Sequence, residues 1–174
     1  MNLTVVSRFA DLLTTRVSIR QHSIPYPAAV LLLAGVYFVV GKIGLQFAIL
    51  HDNVSLVWLA AAFALVALYL GGMRLFPGVA LGAFFVNVGP TIPISAALMI
   101  AVGNTLGTVV AVYLLLRFSP KPLTFERIYD LAIFVLSASI IAPLITATVG
   151  TMALVITQSI SNTDARRIWQ EWWM

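Results

Sequence analysis

Long apolar runs, separated by short polar stretches, account for most of the chain. A helix rises about 1.5 Å per residue, so crossing a hydrocarbon core of about 30 Å takes roughly 20 apolar residues. Five runs reach or approach that length, and glycine, proline or charged residues mark the turns between them. The predicted spans are residues 27–50, 54–70, 75–88, 92–116 and 128–160. The pattern therefore predicts an all-α integral membrane helical bundle of about five transmembrane helices.

The second and third spans form a predicted helical hairpin. Residues 54–70 carry no charge, two glycines end the first helix, and Arg74 lies in the turn. Two pairs of glycines further along the chain are each spaced four residues apart, which lets helix backbones approach closely in lipid. We expect these glycines to be packing residues: Gly78 and Gly82 in the third span, Gly103 and Gly107 in the fourth.

The fifth apolar run, residues 128–160, is too long for one upright helix. Pro143 lies near its middle, and a proline removes a backbone donor and bends a helix. The favoured prediction is one kinked span. The alternative is a division of the run into two shorter pieces, which the residues also allow.

The first 26 residues are too few and too polar to bury a core of their own. Apolar residues recur there at helical spacing between charged ones, which is typical of a helix that lies on a membrane surface. A partly ordered cytoplasmic leader fits the same residues. The chain therefore divides into a leader, residues 1–26, and a membrane domain, residues 27–174.

The composition supports a membrane protein. Apolar residues make up 61% of the 174, and charged residues only 9%, against about 25% in soluble domains. The net charge of +4 comes from basic residues scattered singly at helix ends, so the expected partner is the lipid bilayer and not nucleic acid. The chain has no cysteine, which excludes disulfides, thiol catalysis and thiolate metal sites.

The basic residues also predict an orientation. With five spans, the N-terminal segment, the Arg74 turn and residues 117–127 fall on one side and contain seven Lys or Arg. The opposite side has only Arg166 and Arg167. The positive-inside rule therefore places the N-terminus in the cytoplasm. On the outer side we expect an aromatic interfacial belt of Trp169, Trp172 and Trp173.

Lys42 is the only ionisable residue that we place well inside a span. A charge there costs at least about 2.5 kcal/mol on insertion scales, which favours a functional role. Lys42 and Gln46 lie one helical turn apart, and we predict that both face a pocket for a small polar or anionic ligand. In the alternative interpretation, the Lys42 side chain extends to the outer headgroups. The other predicted ligand-binding residues are Trp58, Asn87 and Asn104.

The polar residues also have structural interpretations. Asn87 and Asn104 fit hydrogen bonds between helices, which are of modest strength in membranes. Asp52 fits either a counter-charge for Lys42 or a solvated loop residue. The C-terminal tryptophans fit interfacial anchors, with an aromatic lid over a ligand as the other interpretation.

The sequence shows no catalytic constellation. The two histidines, His22 and His51, lie in flanking segments, and we place no Asp or Glu inside a span. Isolated serines such as Ser137 lack a partner base. There is no metal-ligand motif and no phosphate-binding glycine loop. The sequence therefore predicts a protein that is not an enzyme and that has no metal and no cofactor.

Five segments carry a family resemblance by their order and spacing: GKIGL (41–45), VSLVW (54–58), LGGMRLFPGVALGAFFVN (70–87), GNTLG (103–107) and WQEWW (169–173). The chain resembles the first of the MASE families, the membrane-associated sensor domains found at the N-termini of bacterial signalling proteins. The resemblance runs from about Tyr26 to the end. Leu59 and Ala62 depart from the family pattern, which usually has a proline and a glycine at these places.

The resemblance implies a sensory input domain in a bacterial inner membrane, acting in two-component or cyclic-di-GMP signalling. In the family the tryptophan cluster is followed by at least one more span, and then by a histidine kinase, diguanylate cyclase or phosphodiesterase. The resemblance therefore implies that residues 27–174 form a domain that is incomplete at its C-terminus. A homodimer is the assembly we expect.

Two other functions fit the same residues. The main alternative is a small-solute-binding membrane subunit of a transporter, because several families of about this length hold one metabolite within a helical bundle. The second is a module that senses a neighbouring membrane protein and has no ligand of its own.

Overall fold

The computed structural model describes residues 24–46, 58–119, 123 and 125–173, and all regular structure within these ranges is helical. The helices are α1 Tyr26–Gln46, α2 Leu59–Gly71, α3 Phe76–Asn87, α4 Ile94–Phe118, α5 Ile128–Ile156 and α6 Asn162–Trp173, with a 3-10 turn Met73–Leu75 between α2 and α3. The all-α prediction is confirmed. Residues 1–23 of the predicted leader, residues 1–26, lie outside the described residues, and so does Asp52.

Three of the described helices, α1, α4 and α5, are long and apolar enough to cross a membrane. The hairpin predicted between them gives shorter apolar helices, with 13 residues in α2 and 12 in α3. A perpendicular crossing takes roughly 20 residues, so this pair is short for the hydrocarbon core. The prediction of a helical membrane bundle is confirmed in its long helices, and the hairpin is its least extended part.

A glycine makes the reversal between α2 and α3. Gly72 has φ 97, a conformation that favours glycine, and its N–H donates to Leu68 O at 3.1 Å. The Tyr26 hydroxyl donates to Arg74 O at 2.9 Å, so α1 begins beside this turn. We call this end of the bundle the Arg74 end. The opposite end, where α3 stops, is called the Asn87 end.

Helices α1 and α3 run parallel with their backbones in direct contact. A Cβ added at Gly78 would lie 2.7 Å from Val30 O, and one added at Gly82 would lie 2.6 Å from Tyr37 Cβ and 2.9 Å from Ala34 O. The residue numbers of the contacting positions increase in the same direction along both helices, so the two helices are parallel. Any side chain larger than glycine would push the two backbones apart at these positions.

Helices α4 and α5 pack antiparallel through the second glycine pair. A Cβ at Gly103 would lie 2.8 Å from Val149 Cβ, and one at Gly107 would lie 2.8 Å from Ala142 O. Since α4 also packs against α2 and α3, it is the central helix of the bundle. Its buried face includes Ala96, Ala97, Ile100, Ala101, Ala111, Val112 and Leu115.

The fifth apolar run forms one continuous helix with a widened turn. Residues Val135–Ile141 are π-helical, and the Ala142 N–H donates to Ser137 O, five residues back. Pro143 follows at once, and its ring would clash with a carbonyl four residues back in a regular α-helix. A π-turn relieves that clash without breaking the helix. The run is therefore a single helix and not two pieces.

One face of α5 is apolar and uncovered by the described residues. Only 11% of its most apolar window is buried, compared with 50% for α4. A surface of this kind suits contact with lipid tails. Its exposed residues include Leu131, Val135, Ile140, Leu144, Met152 and Ile156.

After α5 the chain reverses, and α6 runs back along it. The Trp169 Nε1–H donates to Thr148 Oγ1 at 3.1 Å, and the Trp173 Nε1–H donates to Ile140 O at 3.4 Å. Ile140 lies 16 residues before the end of α5, or about 24 Å along it. The interfacial belt stays a prediction, and the last of its three indoles is bonded to a carbonyl of α5. The apolar side of α6 packs on its neighbours, and this carries the last indole to the middle of α5.

Candidate functional site

Lys42 holds the C-terminal end of α3. Its Nζ donates to Val86 O at 2.9 Å and lies 5.7 Å from the centre of the Phe38 ring. The last carbonyls of a helix have no donor within the helix, and they carry the negative end of its dipole. An ammonium group supplies such a carbonyl with a donor, and its positive charge is attracted to the negative end of the dipole. The Lys42 side chain thus crosses from α1 to the end of α3, and it is half-buried there.

The close approach of the two helices at this point depends on a glycine. A Cβ at Gly41 would lie 2.7 Å from Val86 Cγ2, so no larger residue fits there without a shift. Lys42 is the next residue, and its side chain therefore starts from a backbone already in contact with α3. Sequence reasoning predicted a pocket around Lys42, and the structure shows that its acceptor is a main-chain carbonyl.

Trp58 is joined to α1 by a hydrogen bond. Its Nε1–H donates to the Tyr37 hydroxyl at 3.1 Å, and Tyr37 is only 1% exposed. Trp58 comes directly before α2, so this bond ties the start of α2 to α1. The sequence analysis did not single out Tyr37. A hydroxyl in the middle of a predicted span was the signal that could have found it, because such a group needs a partner.

Asn87 and Gln46 lie at the Asn87 end with different surroundings. The Asn87 Nδ2 donates to Ala83 O at 2.8 Å within its own helix, and the residue is buried. Gln46 is the last residue of α1 and is exposed. The structure therefore places the Lys42 ammonium beside the last turn of α3, which carries Asn87, and it places Gln46 one turn beyond Lys42 on α1.

Asn104 belongs to another part of the bundle. It lies ten residues after Ile94, or about 15 Å into α4. It is buried and adjoins Gly103, which contacts α5. The Thr108 hydroxyl donates to the Asn104 carbonyl at 2.9 Å. The described contacts therefore join Lys42, Trp58 and Asn87 through α1 and α3, while Asn104 lies beside the contact between α4 and α5.

The family model MASE1 matches residues 29–174, which include nearly all of α1 and the whole of α2 to α6. The chain belongs to the MASE1 family. MASE1 is a membrane sensory domain of signalling proteins, and it is non-catalytic. The family resemblance read from the sequence is thereby confirmed. No curated protein and no solved structure matches the chain.

Acidic residues occur inside this MASE1 bundle, contrary to the sequence analysis. Asp130 is 1% exposed, and its Oδ1 accepts a hydrogen bond from the Ser119 hydroxyl at 2.7 Å. The Glu171 Oε2 on α6 is also shielded from solvent. The prediction that no Asp or Glu lies inside a span is therefore wrong for Asp130, which lies in the first turn of α5. Both residues lie near helix ends in the sequence, and only packing against a second helix buries them.

Proposed function

We propose that this MASE1 domain is the input module of a bacterial signalling protein in the inner membrane, with its N-terminus in the cytoplasm. It detects a small polar or anionic ligand, or a neighbouring membrane protein, and relays the change to a kinase or cyclic-di-GMP enzyme. Family membership supports the sensory role. The basic residues at the Arg74 end support the orientation, because Lys and Arg are concentrated on the cytoplasmic side of membrane proteins.

The observation that carries the proposal is the contact between the Lys42 ammonium and Val86 O. An ammonium has three N–H donors, so it can bind a further acceptor at this place. A ligand that binds one arrangement of the helices better than another shifts the balance between them. An anion beside Lys42 would compete with the end of α3 for the same positive charge. The ligand would thereby weaken the tie between α1 and α3.

The glycine contacts provide a path from Lys42 to the Arg74 end. Gly82 and Gly78 let α3 pack directly against α1, where Tyr37 and Leu33 side chains and two α1 carbonyls lie against them. A shift of α1 at Lys42 is therefore transmitted to its first turn. At that turn the Tyr26 hydroxyl is bonded to Arg74 O, beside the reversal between α2 and α3.

Replacing Lys42 by methionine tests this proposal, because Met keeps the apolar stem and removes the charge. We expect the free energy of unfolding in lipid nanodiscs to fall by about 1.5 to 2 kcal/mol, since a charge-assisted bond at a helix C-terminus is lost. Lys42→Arg should retain most of the stability. Val39→Met is the matched control at an exposed position three residues away on α1, and it should have little effect.

Signalling is the second readout, measured in the full-length protein that carries this domain. Lys42→Met should change the basal output and abolish the response, while Val39→Met should preserve both. Phosphate and small carboxylates serve as anion probes, and a rise in the unfolding temperature that requires Lys42 supports the ligand mode. A co-purifying membrane protein that survives Lys42→Met supports the partner mode. Unchanged folding together with unchanged signalling in Lys42→Met would refute the role of this residue.

A further inference from the structure

Two arginines at the Arg74 end each lie over an aromatic ring. The Arg74 guanidinium carbon is 5.9 Å from the centre of the Tyr26 ring, and the Arg117 guanidinium carbon is 5.4 Å from the centre of the Phe118 ring. Both arginines are exposed, and Tyr26 and Phe118 are 44% and 48% exposed. Each guanidinium is therefore accessible from outside the bundle.

Both arginines lie near the end of a helix that is long enough to cross a membrane. Tyr26 is the first residue of α1, whose 21 residues rise about 30 Å. Arg117 lies in the last turn of α4, which follows α3 after the turn 88–93, packs against it and so returns to the Arg74 end. Tyrosine is enriched at the headgroup level of membranes. We therefore expect the two guanidinium groups at the depth of the lipid phosphates.

The two positive charges have no protein counter-charge in the part of the chain that the structure describes. No carboxylate there bonds either guanidinium, whereas Arg167 on α6 pairs with Asp164 at 3.1 Å. A guanidinium has five N–H donors in a planar fork that matches the oxygens of a phosphate. An aromatic face under the guanidinium holds its plane by a cation–π contact and uses none of these donors.

The fold holds the main chain of Arg74 in place before any anion binds. The Tyr26 hydroxyl donates to Arg74 O, so the ring under the guanidinium is also bonded to the backbone of the same residue. Arg74 lies in the 3-10 turn that follows Gly72, and the Leu75 N–H donates to Gly72 O at 3.1 Å. A ligand of a group that is already held loses less conformational freedom on binding. An anion at Arg74 would also brace the contact between α1 and the turn.

We propose that Arg74 and Arg117 bind the phosphates of anionic phospholipids, and that this binding stabilises the packing of α1 on the turn between α2 and α3. The exposed rings beside the arginines favour a lipid over a free anion, because they offer apolar contact next to the charge. An anionic headgroup is favoured over a zwitterionic one, because the latter carries its own cation. This inference goes beyond the proposed function, since it requires no stimulus at Lys42.

Thermal unfolding of the full chain in lipid nanodiscs tests the site. Replacing pure phosphatidylcholine by an equal mixture with phosphatidylglycerol should raise the unfolding midpoint by about 3 °C. Arg74→Gln should lose most of that rise, and Arg117→Gln should lose part of it, because glutamine has no charge. Arg166→Gln is the matched control, an exposed arginine of α6 that contacts no described ring, and it should keep the rise.

Arg74→Lys separates phosphate binding from damage to the turn, because it keeps the charge and should keep much of the rise. Inorganic phosphate, added to the chain in pure phosphatidylcholine, should leave the midpoint unchanged. An equal rise with inorganic phosphate would overturn the assignment to a lipid. The proposal is also overturned if Arg74→Gln and Arg117→Gln both keep the full rise. Equal losses in Arg166→Gln and Arg74→Gln would overturn it too, since the lipid would then act through general charge alone.

Discussion

Gly82→Ala is expected to lower the free energy of unfolding by about 2 kcal/mol, the cost of overpacking a tight contact. The added methyl group would lie 2.6 Å from Tyr37 Cβ and 2.9 Å from Ala34 O. Neither neighbour can rotate away, because one atom is the first of its side chain and the other belongs to the backbone. Helix α1 must therefore move off α3. Equilibrium unfolding in mixed micelles measures the change.

Gly35→Ala, on α1, gives the opposite expectation. Apart from the backbone of its own helix, no described atom lies within 4 Å of a Cβ at Gly35, so only the better helix propensity of alanine acts. The variant should gain up to about 1 kcal/mol or remain unchanged. Equal effects of the two substitutions would contradict the close contact of α1 and α3. Because loss of that contact also removes the Lys42 bond, Gly82→Ala should alter signalling as Lys42→Met does.

Ser119→Ala is expected to cost about 1 to 3 kcal/mol, which is large for the loss of one hydroxyl. The Asp130 carboxyl would remain buried without its 2.7 Å donor, and a buried acceptor left unsatisfied bears its full desolvation cost. We expect the change to appear at the junction of α4 and α5. Hydrogen–deuterium exchange in the first turns of α5 should locate it, and equilibrium unfolding should measure it.

An exposed serine and aspartate offer a matched comparison. The Ser161 hydroxyl donates to Asp164 Oδ2 at 2.6 Å in a pair that water reaches. The Ser161 hydroxyl also accepts from the Asp164 N–H at the start of α6, so Ser161→Ala should cost about 1 kcal/mol, the low end expected for Ser119→Ala. Removing both buried partners in Ser119→Ala with Asp130→Leu should recover part of the loss, since no buried acceptor then remains. A double variant as unstable as Ser119→Ala alone would show that Asp130 has a further role.

The helices themselves could be predicted well from the sequence. A backbone in lipid must satisfy its own hydrogen bonds, so an apolar run of sufficient length can only be helical or part of a closed barrel. Runs without strand alternation therefore predict helices, and α1, α4 and α5 follow these runs closely. Pro143 also marked the place where α5 departs from regular α-helix, although it did not show that the departure would be a π-turn.

The candidate site could be predicted only in part. The cost of an intramembrane charge pointed to Lys42, and the structure gives that charge a partner in Val86 O. A main-chain carbonyl is present at every residue, so no sequence pattern distinguishes the one that Lys42 contacts. Asn104 carried the same polar signal as Asn87. Asn104 adjoins Gly103, which contacts α5, and that placement is a property of how the helices are arranged.

The sequence by itself determined that this chain is a helical membrane domain, because the length of an apolar run and the spacing of small residues are local properties. The order of five short segments indicated the MASE1 family, which the family model confirms. Only the tertiary structure decided which carbonyl holds Lys42, that Asp130 is buried, and that α6 returns along α5 to Ile140. Each of these depends on a surface supplied by a distant helix. A groove such as the one at Gly150 exists only after two helices have packed.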